Sequence, residues 1–179
     1  MLKGKKIGLR ARHEADIPVL QDELADPHTT ARATGQPWRP FTPGSNEAPF
    51  VVGDTKDDVV HFSIVDLADD ALVGTANLWG IDKHARAAHI GLGLLPLARG
   101  KGFSTDVVAV LCHYGFTVHG LHRLQIETLA DNLPMQRAAE RNGFVREGVR
   151  RDASWVMGEF LDEVLLGLLV HDWKTAEAH

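Results

Sequence analysis

Residues 90–104, Ile90-Gly91-Leu92-Gly93-Leu94-Leu95-Pro96-Leu97-Ala98-Arg99-Gly100-Lys101-Gly102-Phe103-Ser104, decide how this chain folds. Their first half, 90–97, is an apolar run that reads as a buried strand. Residues 105–116, rich in valine and leucine, read as the helix that follows. Between the two, Arg99-Gly100-Lys101-Gly102-Phe103-Ser104 makes a glycine-rich strand-to-helix turn. Such a turn gathers free backbone N–H groups and the positive end of a helix dipole at one spot. One contact of this kind contributes only about 0.3–1 kcal/mol, so an anion needs several converging N–H groups. Gly100 and Gly102 let the backbone come close to the anion, and Arg99 and Lys101 add positive charge. The turn reads as a phosphate site or as a tight turn with no ligand.

The two common nucleotide motifs do not fit. A Walker A loop needs Gly-x-x-x-x-Gly-Lys-Ser/Thr, but Leu95 stands at the first glycine and Gly102 at the hydroxyl position. A Rossmann fingerprint fails at Pro96 when counted from Gly91, and at Thr105 when counted from Gly100.

With 179 residues, the chain is long enough for one domain with a substantial core, and 1–179 is read as a single unit. The formal net charge of −5 argues against nucleic acid as a partner and favours a cationic substrate. A single cysteine, Cys112, excludes an internal disulfide and suits a reducing cytoplasm. The basic start Met1-Leu2-Lys3-Gly4-Lys5-Lys6 lacks the apolar run of a signal peptide, and no segment is apolar over the ~20 residues a bilayer requires. The expectation is a cytoplasmic protein with no membrane partner.

Outward from the turn, residues 6–12 read as a short edge strand. Asp16-Ile17-Pro18 opens a helix, capped by Asp16, with Val19, Leu20 and Leu24 as its buried stripe. Residues 26–34 read as a second helix, and 35–58, punctuated by prolines and glycines, as a long surface loop carrying Trp38, Arg39 and Phe41. Three successive strands, 59–67, 71–81 and 85–95, are joined by short turns and imply an antiparallel meander. Arg123–Leu129 alternates cleanly as a strand. A helix covers 134–142 and stops at Gly143. Strands 144–151 and 160–169 follow, the last apolar enough to be covered on both faces.

That order, with its motifs, resembles the GNAT superfamily of N-acetyltransferases and its RimJ/RimL-like branch, over essentially the whole chain. Leu9-Arg10 is similar to the family's opening "LR" strand, and Arg99 and Gly102 match its acetyl-CoA pyrophosphate loop, with Ser104 replacing the last Gly/Ala. Asp131-Asn132 with Asn142-Gly143-Phe144-Val145-Arg146-Glu147-Gly148 resembles its "N…xGFxxEG" segment, and Gly158 with Asp162 its C-terminal hairpin. The resemblance implies an α/β (α+β) fold, a mixed and mostly antiparallel central sheet flanked by helices. Strands 4 and 5, around 90–95 and Arg123–Leu129, splay into a V that holds acetyl-CoA. It implies that the Leu94 backbone pairs with pantetheine, that Arg99, Gly100, Lys101, Gly102, Phe103 and Ser104 hold the pyrophosphate, and that Asn132 contacts the cofactor from the other arm. Asn132 also suits an N-cap for the following helix. The implied acceptor is a primary amine, either a protein N-terminus or a small molecule such as an antibiotic or polyamine. Similar proteins are commonly dimers.

Acetyl transfer needs a neutral amine. An α-amine near pKa ~7.8 and a lysine amine near ~10.4 differ by about 3.5 kcal/mol in deprotonation cost. Relatives commonly place a glutamate base where Ala88-His89-Ile90-Gly91 here places His89, which titrates near neutrality and suits either a base or a packed strand residue. Where relatives carry a tyrosine or serine acid, this chain has Ala139 and Met135, neither of which can donate a proton. That leaves a catalytically degenerate CoA-binding module as the rival reading. Trp79, Trp155 and Trp38 are candidates for an acceptor-binding wall. Cys112 reads as core, Asp106 as a complement to the helix dipole, and His119 with His122 as no metal site, for want of further ligands.

Overall fold

A computed structural model describes residues 1–42, 45, 48–50 and 57–177. Pro43, Gly44 and Gly53 of the expected loop, and the terminal His179, lie outside the described residues; the described parts of 35–58 contain neither helix nor strand. One eight-stranded sheet runs in the order β1-β2-β3-β4-β5-β6-β8-β7. Its strands are β1 (Leu2–Lys3), β2 (Ile7–Arg10), β3 (Val59–Asp66), β4 (Leu72–Asp82), β5 (Ala87–Leu94), β6 (Arg123–Leu129), β7 (Val145–Val156) and β8 (Glu159–Leu169). All neighbours are antiparallel except β5 and β6. The helices are α1 (Asp16–Glu23), α2 (Pro27–Thr34), α3 (Phe103–His113), α4 (Leu133–Glu140) and α5 (Val170–Glu177). Among the described residues no helix is long and apolar enough to cross a membrane.

The two faces of the sheet differ as strand alternation requires. On the back, Ile7, Leu9, Leu78, Ala88, Ile90, Leu124 and Ile126 meet Val107, Val108 and Leu111 of α3 in one core, which also holds Cys112 and Ala139. On the front, Ala31 of α2 packs with Leu129, Val156 and Leu161. The front residues Arg10, Ser63, Thr75, Trp79, His89, Gln125 and Glu127 are polar or aromatic, and Arg10 and Ser63 meet Asp16 of α1.

Four sequence expectations are corrected. The strand at 6–12 is not an edge, because β1 pairs outside it after a turn closed by Gly4 N–H to the Ile7 carbonyl. Val19 is 47% exposed, so only Leu20 is fully buried on the α1 stripe. The first half of β8 is uncovered, with Phe160 exposed, because β7 extends to Val156 and the hairpin projects past the core. Asp16 is the first helical residue rather than the cap. Its carboxylate accepts two bonds from Arg10 (2.6 and 2.9 Å), the His13 N–H (2.9 Å) and the Ser63 hydroxyl (2.8 Å). α5 was not anticipated, and the expected continuation of the long helix to about His119 is present as a π-helical turn, Tyr114–Val118.

Burial alone would raise the Asp16 pKa, but the Arg10 and His13 hydrogen bonds outweigh it and hold the carboxyl well below the usual range. Its stabilising contribution is present above the unfolded value near 3.9 and is lost as pH falls below it. Asp16→Ala strands Arg10 and is expected to cost about 3 kcal/mol, the lower end for breaking a buried pair. Urea unfolding at pH 7 checks this, and the gap between variant and parent should narrow at acid pH.

Candidate active site

The parallel ladder between β5 and β6 is three pairs long: Ala87 with Arg123, Ala88 with Leu124, and His89 with Gln125. Beyond His89, β5 stays with β4 as far as Leu94, while β6 follows β8. The β6-facing edge of residues 90–94 therefore has no strand partner. Unpaired backbone groups in a cleft need other partners, and an extended amide chain supplies them.

At the end of that free edge lies the glycine turn. Gly100 and Gly102 take φ of +78° and +81°, a region disfavoured for residues with a Cβ. No side chain caps α3, so the N–H groups of its first turn remain available. Arg99 is engaged elsewhere: its Nε donates to the Leu94 carbonyl (3.0 Å) and its Nη2 to Glu23 of α1. Charge at the turn comes instead from Lys101 and Lys6, whose Nζ donates to the Lys101 carbonyl (3.1 Å). A cleft of about 480 Å³ lined by Lys5, Lys6, Lys101 and Phe103 opens beside them.

Asp106 holds this arrangement together. Its carboxylate accepts the backbone N–H groups of Lys5 (3.0 Å), Lys6 (2.7 Å) and Ile7 (3.1 Å), tying the N-terminal hairpin to α3. A Cβ on Gly4 would lie 2.5 Å from Asp106 Oδ2, which explains the glycine there.

His89 stands at the crotch of the V. Its ring stacks on Trp79 at 4.2 Å and 23°. Nδ1 is buried without a hydrogen bond and lies 3.6 Å from Glu127 Oε1, an electrostatic contact too long to be a hydrogen bond. Burial chiefly lowers the His89 pKa; Glu127 opposes this, and Arg123 and Arg150 reinforce it. The imidazole is thus biased toward its neutral, proton-accepting form. Glu127 itself accepts from Arg150 (2.6 Å), which also binds Glu163, and Glu163 accepts from Ser154. Arg123 pairs with Glu147 on the same arm. Of these partners only Glu147 was singled out in the sequence, as part of a family motif. The alternation Arg123, Gln125, Glu127 was the available signal, since it marks one polar face of β6.

The other expected residues are dispersed. Trp79 joins His89 and is 41% exposed. Trp155 alternates to the face opposite Ser154 and Val156 and packs on Phe160 at the hairpin end. Trp38 lies on the loop after α2, partly exposed. Asn132 caps α4, accepting the Met135 N–H at 3.4 Å and donating to Thr128 Oγ1 at 2.9 Å. Ala139 is fully buried and Met135 packs on the core. The chain's one tyrosine, Tyr114, meets Phe62 and His119 behind the sheet and is not at the fork.

A sheet split beside a parallel pair, with a glycine-rich helix N-terminus at the end of the free edge, is the arrangement that the GNAT resemblance implies for a coenzyme A-dependent acyltransferase. Residues 6–145 match the acetyltransferase (GNAT) domain family. The probable N-acetyltransferase YjcK of Bacillus subtilis (strain 168) is 35% identical over 118 residues, 65% of each chain. The ribosomal protein uS5-alanine N-acetyltransferase of Escherichia coli (strain K12) is 22% identical over 84% of this chain and 82% of its own. Spermidine N-acetyltransferase from Vibrio cholerae, solved with CoA and spermine, shares the fold with a TM-score of 0.79 at 20% identity, covering 94% of this chain and 98% of that one.

The chain belongs to the GNAT family and carries an acetyl-CoA-dependent N-acetyltransferase domain. The family, fold and cosubstrate expected from the motifs are borne out.

Proposed function

We propose that this chain, acting as a single domain, acetylates a primary amine with His89 as the general base. Residues 100–104, with Lys6 beside them, hold the diphosphate, the Leu94 backbone meets pantetheine, and Asn132 lies on the opposite arm. The observation that carries the reading is the parting of β5 from β6 directly after His89, with the α3 N-terminus at the far end of the freed edge.

In that arrangement the amine lone pair attacks the thioester carbonyl. His89 takes a proton from the nitrogen, directly or through one water, the C–S bond breaks, and the thiolate leaves. A thiol pKa of about 8.5 makes thiolate departure tolerable without a dedicated acid, which suits Ala139 and Met135 at the positions where relatives place one. Protein N-termini and small amines both remain acceptors in this reading, since relatives carry names of both kinds. Cytoplasmic action follows from the same reading, where acetyl-CoA is supplied and a lone thiol stays reduced.

The expected result is steady release of free CoA thiol with at least one member of an amine panel. Tight CoA binding with no turnover on any amine would favour the degenerate-module alternative.

A further inference from the structure

Resting on the acetyltransferase reading, we infer that the acceptor carries a carboxylate close to its amine, that Arg12 binds this carboxylate, and that Asn77 receives the amine. Three side-chain polar atoms among the described residues are buried without a hydrogen-bond partner: Arg12 Nε, Asn77 Oδ1 and His89 Nδ1. Asn77 and His89 belong to one face of the sheet, and Arg12, just past β2, is anchored to that face through Thr75. Thr75, Asn77 and Trp79 are alternate residues of β4, paired in register with Gly93, Gly91 and His89 of β5. Arg12 Nη2 is anchored on Thr75 Oγ1 at 2.6 Å, and Phe50 lies under its guanidinium at 4.9 Å. Asn77 leans over Gly91, where a Cβ would come within 2.4 Å of its Oδ1.

Arg12 is the unusual group. Arg10, Arg123 and Arg150 each hold a carboxylate, whereas Arg12 has none among the described residues. The nearby Asp16 is already bound bidentately by Arg10. Partly buried charge is ordinarily compensated; Asp16 attracts Arg12 but bonds to Arg10, so a guanidinium with no carboxylate bound to it among the described residues can take an anion from outside. A carboxylate supplies both charge and acceptor geometry. Asn77 Oδ1 is placed to accept one N–H of a neutral amine, leaving the lone pair for the thioester. At about 3.3 Å per strand residue, the Arg12 anchor lies about 7 Å from Asn77, which a carboxylate a few bonds from the amine can span. A polyamine would instead set cationic nitrogens against Arg12, and a peptide N-terminus offers only a neutral carbonyl. The local field here opposes the reading of a cationic substrate from the net charge of −5.

The test measures thiol release with saturating acetyl-CoA for α- and γ-amino acids, their carboxamides, an alanine-terminated peptide and spermidine. Calorimetry of the same compounds on the CoA-bound protein runs in parallel. The expected result is at least a 10-fold preference in kcat/KM, and in affinity, for carboxylate over carboxamide, falling to near unity in Arg12→Gln. If Arg12→Gln fails to show a cooperative melting curve, Thr75→Val, which removes the guanidinium anchor, should cut the same ratio. Equal use of carboxylate and carboxamide, better use of spermidine, or a preference that survives loss of Arg12 would overturn the inference while leaving acetyl transfer standing. Absence of thiol release with every compound would instead refute the acetyltransferase reading, and the calorimetric ratio would still decide the inference.

Discussion

Gly102→Glu is expected to abolish measurable acetyl-CoA binding while the protein keeps a cooperative melting transition. The residue sits immediately before the first turn of α3, whose N–H groups no side chain caps. A carboxylate added there sits among the groups proposed to hold the diphosphate. At about 5 Å and an effective dielectric near 20, each opposing charge costs about 3 kcal/mol, or roughly 200-fold in affinity. Two effects need separating, because φ at Gly102 is +81° and any side chain there is strained. Asparagine tolerates the left-handed region better than most residues and carries no charge. Gly102→Asn should therefore lose little stability and bind acetyl-CoA far better than Gly102→Glu. Calorimetric titration of both variants checks this, and equal affinities would contradict the assignment of the turn.

His89→Ala should lower kcat/KM at neutral pH by about 100-fold or more, the usual range for losing a general base. Acetyl-CoA affinity should change little, since the ring stacks on Trp79 at the fork and the diphosphate turn lies at the far end of the free edge. With an acceptor whose amine deprotonates near pH ~8, the deficit should shrink in alkaline buffer, where solvent has already removed the proton. An equal deficit at both pH values would remove His89 as the base. The parent enzyme supplies a second readout. Because burial lowers the His89 pKa, the acid limb of kcat/KM should fall below the ordinary value near 6.5. Glu127 is the one neighbour that raises that pKa, so Glu127→Gln should move the limb lower still. A contact that merely packed the ring would shift no limb in that direction.

Local pattern carried much of the fold. β6 falls on Arg123–Leu129 as its alternation demands, and α2 starts after Asp26, whose side chain accepts the Thr29 N–H at 2.7 Å. The glycine turn was legible because positive φ and an uncapped helix start are properties of a few consecutive residues. His89 was found as a residue type at a motif position, but its stacking on Trp79 and its approach to Glu127 were not. Those contacts depend on which strands neighbour β5 and in what register. Arg99 shows the limit from the other side: a basic residue in the turn reads as a phosphate ligand, yet α1 folds back to offer Glu23 and takes the charge.

Sequence alone determined the succession of elements, the strand-turn-helix unit around residue 100 and the family, because these rest on periodicity and on contacts within a few positions. Tertiary structure decided where β5 leaves β6, which acids claim which arginines, and that Arg12 meets Thr75 from 63 positions away with no carboxylate of its own among the described residues. Pairings of that range are set by sheet register and by the packing of α1 and α3 on opposite faces. No short stretch of chain encodes either.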